Sequence, residues 1–258
     1  MIRLLSIAIA ISLIFSGVFI FLVSKERCNV AVVKINGNLT TDTEGYITEG
    51  DNTVFAVSSD RLVKEINTAK NKSYIKALIL DIDSNGGSVV AAEEIVQALN
   101  NVNIPTVALV RNTAFSAAYT ITSAAQKIFI GKSSQVGSIG VTASYLAQYE
   151  KNLKEGLIFE EITSAKYKDI LNPNKPLSLE EKALIESIVD QMHSNVVEII
   201  ARGRKVDSSI IEAIADGSIF VGEQAIEKGL ADRIGYLEEV RDYLGENIGK
   251  KIKVCGID

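Results

Sequence analysis

The segment Phe115 to Ala125 reads FSAAYTITSAA. It follows Ile104 to Val110 (IPTVALV), a short apolar run rich in β-branched residues that is typical of a buried strand. Small residues recur through the segment, which favours a tightly packed helix. Ser116 therefore lies where a strand is predicted to end and a helix to begin. There its hydroxyl would face free backbone N–H groups and the positive end of the helix dipole. A serine in this position is either a nucleophile or a helix N-cap.

On both sides of this segment, apolar runs typical of strands alternate with stretches whose apolar residues have helical spacing. Strands are predicted at Val30 to Ile35, ended by Asn36-Gly37, then at Ile75 to Ile82 and Lys127 to Ile130, with Leu157 to Ile162 as a further candidate. Between them, Leu39 to Val54 is a loop or edge hairpin, Ser59 to Ala69 a helix, Asp83 to Ser88 a turn and Val89 to Leu99 a helix. This alternation predicts an α/β fold with a largely parallel sheet.

The C-terminal part, from about residue 177, is predicted to be helical. Ser178-Leu179-Glu180-Glu181 is a capping box that opens a long helix to about Arg202. Shorter helices are predicted at Ser208 to Ala215, Val221 to Lys228 and Leu237 to Leu244.

Composition narrows the functional classes. The chain has 258 residues, 47% of them hydrophobic, and a net charge of −5, which argues against a nucleic-acid partner. Cys28 and Cys255 are the only cysteines. Their spacing fits no metal site, and we expect two unpaired thiols rather than a disulfide.

Leu4 to Val23 is uncharged and almost wholly apolar. As a helix it would span about 30 Å, the thickness of the hydrocarbon core of a bilayer. The residues that end the run make a poor cleavage site, so we expect an uncleaved anchor over 1–27 and a second domain over 28–258. Arg3 precedes the run and Lys25 and Arg27 follow it, so charge alone does not set the orientation.

Two further features bear on chemistry. Asn85-Gly86-Gly87 follows a predicted strand and precedes a helix, so its backbone could approach a ligand closely, although the spacing matches no phosphate-binding motif. His193, the only histidine, lies inside the long predicted helix and is a poor candidate for a general base. A lysine can serve instead if burial or nearby positive charge lowers its pKa enough to leave the amine neutral near pH 7.

Several motifs, in order, resemble the signal peptide peptidase A (SppA) family of membrane-anchored serine peptidases. They are DSNGGS at Asp83 to Ser88, FSAAY at Phe115 to Tyr119, GSIGV at Gly137 to Val141, Tyr167-Lys168 followed by Pro173, and DGSIFVGEQAIEKGLAD at Asp216 to Asp232. The resemblance covers nearly the whole chain after the anchor. It implies a ClpP/crotonase-like spiral of β-β-α units, preceded by one transmembrane helix and followed by a helical C-terminal part.

The resemblance also implies the site residues. Ser116 would be the nucleophile and Lys168 the general base, with Ser138 positioning the lysine amine. The backbone N–H groups of Gly86 and Ala117 would form the oxyanion hole. Neither a cofactor nor a metal is expected. Lys166 is a nearby competitor for the role of base.

The chain departs from the family pattern beside the nucleophile. Asn85 stands where the family has proline, and Ala117-Ala118 stand where it has two glycines. Alanine still donates an N–H if its φ is negative. If the family geometry needs a positive φ at Ala117, the site would be strained by about 1–3 kcal/mol or inactive.

The implied activity is that of a membrane-bound serine endopeptidase with a Ser-Lys dyad, acting on cleaved signal peptides from the extracytoplasmic side of the cell membrane. The alternatives are a related ClpP-class protease of the NfeD-like group with a specific membrane-protein substrate, and a catalytically silent crotonase-type scaffold. The resemblance implies that in the family's longer members lysine and serine come from two related halves. A chain of this length is therefore expected to build each site from neighbouring copies in a closed ring, with Ser116 and Lys168 of one protomer too far apart to hydrogen-bond.

Overall fold

The computed structural model describes residues 28–49 and 52–256, and the predicted anchor over Leu4 to Val23 lies outside the described residues. Among those that are described, no helix has the length and apolar character needed to span a bilayer.

One mostly parallel sheet forms the centre of the described molecule. Along its main path the strands follow the order β2-β3-β1-β4-β5-β6-β9. The strands are β1 Val30–Thr40, β2 Gly45–Glu49, β3 Asn52–Ser58, β4 Ala77–Gly87, β5 Thr106–Phe115, β6 Lys127–Ile130, β7 Gln135–Gly137, β8 Ile219–Val221, β9 Arg233–Ile234 and β10 Val254–Gly256. β2 pairs antiparallel with β3, so the predicted edge hairpin is present.

Helices cover both faces of the sheet. They are α1 Ser59–Asn71, α2 Val89–Asn100, α3 Ala117–Ser123, α4 Tyr149–Lys154, α5 Leu179–Arg204, α6 Ser208–Glu212, α7 Gly222–Glu227 and α8 Leu237–Ile248. The larger core packs α1, α2, α3 and α5 against one face, and a smaller core packs Val240 and Leu244 of α8 against the other. The predicted capping box at Ser178 and Glu181 is present at the start of α5.

The central strands run further than the sequence pattern predicts. β4 continues to Gly87 through the predicted turn at Asp83 to Ser88, and β1 continues past Asn36-Gly37 to Thr40. Gly37, Gly86 and Gly87 have φ values of 98°, 102° and 140°, which only glycine adopts readily. Pairing between β1 and β4 resumes beyond a bulge between Asn36 and Asn38. The glycines thus bend the strands without ending them.

The candidate strand at Leu157 to Ile162 is wrong. These residues have no regular secondary structure and belong to an exposed segment, 142–177, between β7 and α5. The segment closes mainly on itself, with Gln148 N–H donating to Pro173 O at 2.7 Å and the Asn152 side chain donating to Asn174 Oδ1 at 2.9 Å. The segment adds no strand to the sheet, and the side chains of Leu157, Ile158 and Ile162 are exposed.

The cysteine prediction is also wrong, because the structure joins Cys28 and Cys255 in a disulfide. β10 pairs in parallel with the first residues of β1, with Ala31 opposite Cys255. That pairing brings the two ends of the described domain together, and the Cα atoms of the two cysteines lie 5.6 Å apart. Three short strands, β8 to β10, therefore bind the mainly helical C-terminal part to the sheet, a contribution that the helical pattern did not predict.

Candidate active site

Ser116 lies between β5 and α3, at the position that the strand-to-helix pattern predicts. Its φ and ψ are 51° and −122°, a region that residues other than glycine rarely adopt. Such a backbone costs about 1–3 kcal/mol and persists only where its surroundings hold it. Here Ser116 N–H donates to Gly137 O at 2.9 Å, and Ser116 O accepts from Thr120 N–H at 3.1 Å.

The hydroxyl of Ser116 does not cap the helix. Ser116 occupies the N-cap position of α3, yet its side chain accepts no hydrogen bond from the first turn. Its Oγ lies 3.5 Å from Gly140 O, a long hydrogen bond that leaves the oxygen available for chemistry. Of the two roles open to this serine, the geometry favours the nucleophile.

Two backbone groups predicted to form the oxyanion hole lie next to Ser116. A Cβ placed on Gly86 would stand 3.1 Å from Ser116 Cβ and 3.2 Å from Ala117 N, so Gly86 touches the nucleophile turn. Ala117 is the first residue of α3, and its N–H therefore has no acceptor within the helix. The N–H of Gly86 donates to Ser84 Oγ at 3.1 Å, so it is already engaged. The N–H of Ala117 is the donor better placed for an oxyanion.

The departures from the family pattern do not distort the site. Ala117 and Ala118 are absent from the described residues with positive φ, which apart from glycines are Ser116, Ser138, Leu171 and Lys205. The strain falls on Ser116 itself and not on the two alanines that replace the glycines. Ala118 is completely buried, so its methyl group adds to the core instead of obstructing the site.

Ser138 and Ser116 line one cavity of about 770 Å³. Ser138 also has a positive φ, 49°, and its N–H donates to Ser218 O at 2.7 Å. The cavity wall is mixed in character. Its apolar side chains come from Val89, Val90, Ile139, Val141, Val189, Met192 and Ala215, and its ionisable ones from Asp190, His193 and Asp216.

Lys168 lies elsewhere. It is exposed, belongs to the segment 142–177 and is not among the residues that line the cavity at Ser116. Within the described chain its amine makes no hydrogen bond or ion pair, and none joins it to Ser116. Lys166, by contrast, bonds to Glu180, which raises the pKa of its amine and favours the charged form. Of these two lysines, Lys168 is the one whose amine is available for another partner.

The sequence pattern missed the contribution of α5 to this site. Asp190 and His193, one turn apart, both line the cavity, and His193 Nε2 lies 3.8 Å from Glu212 Oε1. A spacing of three residues on a helix places both side chains on one face. That spacing was visible in the sequence, but nothing in it indicated that this face would meet Ser116.

A hydrogen-bond network anchors α3. Tyr119 is completely buried and donates its hydroxyl hydrogen to Leu230 O at 2.9 Å. Burial raises the pKa of Tyr119, which keeps the donor protonated. Asp232, two residues after Leu230, accepts from Ile128 N–H at 2.7 Å and from both terminal nitrogens of Arg204 at 3.2 Å.

Nothing in the described part of the chain gathers three or more histidine, cysteine or acidic residues in a way that could hold a metal ion. The side chains and backbone N–H groups at the site can themselves support chemistry. Ser116 can attack a carbonyl, and Ala117 N–H can stabilise the oxyanion that forms.

Several known proteins resemble this chain in sequence. The sequence profile of "Peptidase family S49" matches residues 98–251. The chain is 30% identical over 223 residues to the "Putative signal peptide peptidase SppA" of Enterococcus faecium, covering 84% of this chain and 63% of that one. It is 25% identical to "Protease 4" of Haemophilus influenzae, over 76% of this chain and 32% of the relative.

Solved structures share the fold. A mutant of the 1510-N membrane-bound stomatin-specific protease aligns over 90% of this chain and 98% of its own with a TM-score of 0.59 at 16% identity. A mutant of ClpP1 from Listeria monocytogenes aligns over 81% of this chain and 92% of its own with a TM-score of 0.52 at 13% identity. These likenesses confirm the predicted ClpP-like fold.

The relatives are longer proteins than this chain. The chain spans 63%, 66% and 54% of the length of the first three curated relatives, all less than two thirds. The family profile, however, covers well over half of this chain and includes Ser116, Ser138 and Lys168. The chain belongs to peptidase family S49.

Proposed function

We propose that this protein is a serine endopeptidase in which Ser116 attacks the peptide carbonyl and Lys168 acts as general base. The observation that carries the proposal is the backbone of Ser116, held at a φ of 51° beside Gly86 with its hydroxyl free of the helix cap. Ser138 would orient the lysine amine. Ala117 N–H, joined by Gly86 N–H if it leaves Ser84, would stabilise the tetrahedral intermediate.

The proposed substrates are remnant signal peptides. The apolar side chains around Ser116 suit the apolar segments of such peptides. The relative named "Putative signal peptide peptidase SppA" supports the same substrate class. An anchor over Leu4 to Val23 would hold the site close to the membrane, where released signal peptides collect.

The proposed location of the domain is the extracytoplasmic side of the cell membrane. The disulfide between Cys28 and Cys255 supports this side, because structural disulfides form and persist mainly in oxidising compartments. Reporter fusions after Asp258 test it. Alkaline phosphatase should be active in that fusion and a reporter that works only in the cytoplasm silent, and the opposite pattern would remove the signal-peptide role.

The proposed assembly is a ring in which each site takes its lysine from a neighbouring copy. Lys168 belongs to the exposed segment 142–177 and does not line the cavity of its own chain. The same segment exposes several large apolar side chains, which a second copy would cover: Leu146, Leu153, Leu157, Ile158, Phe159 and Ile162.

Mixing two inactive variants tests the shared site. Ser116→Ala and Lys168→Ala protein, each inactive alone, should regain part of the activity when assembled together, because some interfaces would pair an intact serine with an intact lysine. If mass spectrometry shows that mixed assemblies form and they are still inactive, each protomer carries a complete dyad.

Activity itself is tested with a synthetic signal peptide. The purified protein should cleave it and Ser116→Ala should not. Profiling of the cleaved peptides distinguishes a peptidase for signal peptides, which should cut many apolar sequences, from a protease that cuts one membrane protein at one site. If the protein does not cleave the peptide and Ser116 does not react with a fluorophosphonate probe, the catalytically silent scaffold is favoured.

A further inference from the structure

A second cavity, of about 460 Å³, borders the glycine-containing turn Ser84 to Ser88, at the end of β4, that supports Ser116. The catalytic cavity is bordered by Gly87 and Ser88, and the second cavity by Ser84 and Asn85. These four residues are consecutive apart from Gly86, which touches Ser116 and Ala117. The two cavities therefore flank one short stretch of backbone.

Four asparagines line this second cavity: Asn36, Asn38, Asn85 and Asn112. Among the described residues, its lining includes no lysine or arginine and one carboxylate, that of Asp83. Val54 and Phe55 add one apolar side. Such a lining discriminates little by charge and offers many hydrogen-bonding groups.

Part of this lining is held rigid. Thr113 donates from its N–H to Asp83 Oδ1 at 3.3 Å, and its hydroxyl lies 3.1 Å from Asn85 Oδ1. In the described part of the chain, the amide groups of Asn36 and Asn112 and the NH₂ of Asn85 make no hydrogen bond with the protein. The cavity thus presents primary amides whose donor and acceptor groups are available for a ligand, with the Asn85 oxygen held by Thr113.

A primary amide carries the same donor and acceptor groups as a peptide bond, so it can pair with a peptide main chain through both. A cavity lined by several such amides binds an extended peptide through its backbone, with little regard to side chains. A small-molecule site of the usual kind would be more apolar. The lining therefore favours peptide backbone as the ligand.

Ser84 links the two cavities. Its hydroxyl donates to Gly37 O at 2.5 Å and accepts from Gly86 N–H at 3.1 Å. Because the two cavities border the same turn, a peptide whose scissile carbonyl lies at Ser116 reaches the second cavity by crossing it. An extended chain advances about 3.3 Å per residue, so a few residues suffice to cross it.

We propose that the asparagine-lined cavity binds the main chain of the substrate a few residues from the bond that is cut. This inference rests on the proposed endopeptidase function. It makes Asn36, Asn85 and Asn112 determinants of substrate length, and it gives Asn85, which replaces the family's proline, a role in binding.

Two peptides with the same scissile bond test the inference, one of about four residues and one of about twelve, a length that reaches well past the turn. Asn36→Ala and Asn112→Ala should each lower kcat/KM for the long peptide by about tenfold, the loss expected for one or two hydrogen bonds. Neither should change kcat/KM for the short peptide. Asn195→Ala is the matched control, since Asn195 is exposed on α5 and lines neither cavity, and it should change neither value.

Backbone chemistry provides the second measurement. N-methylation of one distal amide of the long peptide should lower its kcat/KM for the wild type to the value of the asparagine variants, and should lower it little further for Asn112→Ala. Scrambling the distal side chains should have little effect.

Several outcomes would overturn the inference. Equal losses for the short and long peptides would mean that the asparagines only shape the turn. Strong effects of side-chain scrambling without an effect of N-methylation would contradict backbone binding. If the wild type cleaved both peptides with the same kcat/KM, this inference alone would fail. If the wild type cleaved neither, the proposed function would fail and the inference with it.

Discussion

At the scale of single residues, Ser116 keeps its unusual backbone because two neighbours prevent relaxation. Gly137 O accepts from its N–H, and Gly86 lies so close that no side chain fits between them. The sequence predicted that Ser116 ends a strand and begins a helix. It could not predict the positive φ, because that angle depends on β7 and on the turn at Gly86, which are distant in the chain.

Substitution of Gly86 tests this arrangement. Gly86→Ala should abolish peptide cleavage, because its Cβ would stand 2.8 Å from Phe115 O and its φ of 102° is unfavourable for alanine. Gly45→Ala is the control, since Gly45 has a φ of 103° with no atom within 4 Å of the added Cβ. Both variants carry similar backbone strain, but only the first crowds the nucleophile. Equal activity of the two would contradict the assignment.

Mutation of His193 can show whether His193 or Lys168 acts as the general base. Because Lys168 is proposed as the base, His193→Ala should leave turnover close to that of the wild type, even though His193 lines the cavity. General bases contribute about a hundredfold or more. A loss of that size in kcat, with an unchanged circular dichroism spectrum, would transfer the role of base to His193.

At the scale of elements, α3 owes its position to contacts far away in sequence. Tyr119 bonds to Leu230 O, and Asp232 ties the same loop to β6 and α5. Periodicity predicted β6 and α5 well because each is long or strongly apolar. It missed β7, β8 and β9, which have two or three residues each and exist only because neighbouring strands provide partners.

Asp232 gives this network a pH dependence. Burial alone would raise the pKa of its carboxyl, but the hydrogen bonds from Arg204 and Ile128 N–H and the charges of Arg204 and Lys127 outweigh burial and hold the pKa below its usual range. A depressed folded pKa stabilises the protein above the unfolded value of about 3.9, and the gain is lost as pH falls through the folded pKa.

Asp232→Asn should therefore lower the free energy of unfolding by about 2 kcal/mol at neutral pH, the value of hydrogen bonds to a charged group. The difference from wild type should shrink as the pH falls below about 4. Urea unfolding at a series of pH values measures both. Asp242→Asn, at an exposed site on α8, should have little effect. A constant difference down to acidic pH would mean that the charge of Asp232 does not matter.

At the scale of the whole molecule, the sheet and the Cys28–Cys255 disulfide bring both ends of the described domain together. Sequence patterns predicted the α/β class and the parallel sheet, because strands and helices alternate clearly. They could not predict that β10 pairs with β1, because the two strands lie at opposite ends of the described chain and so short a strand carries no distinctive pattern.

Removing the disulfide should destabilise the domain without changing the site. Cys28→Ser/Cys255→Ser should lower the free energy of unfolding by about 2–5 kcal/mol, since the cross-link closes a very long loop. Dithiothreitol should lower the Tm of the wild type and leave that of the variant unchanged. If reductant has no effect on the wild type, or if both thiols react with iodoacetamide before reduction, the two cysteines are not paired in solution.

The central proposal is that Lys168 activates Ser116. A fluorophosphonate probe followed by peptide mass spectrometry tests it most directly, since the probe reacts only with an activated serine. The account predicts one adduct per chain, on Ser116, whose formation slows about a thousandfold in Lys168→Ala. Lys166→Ala, two residues away, should react like the wild type. An adduct on another serine, or equal labelling rates in Lys168→Ala and the wild type, would contradict the account.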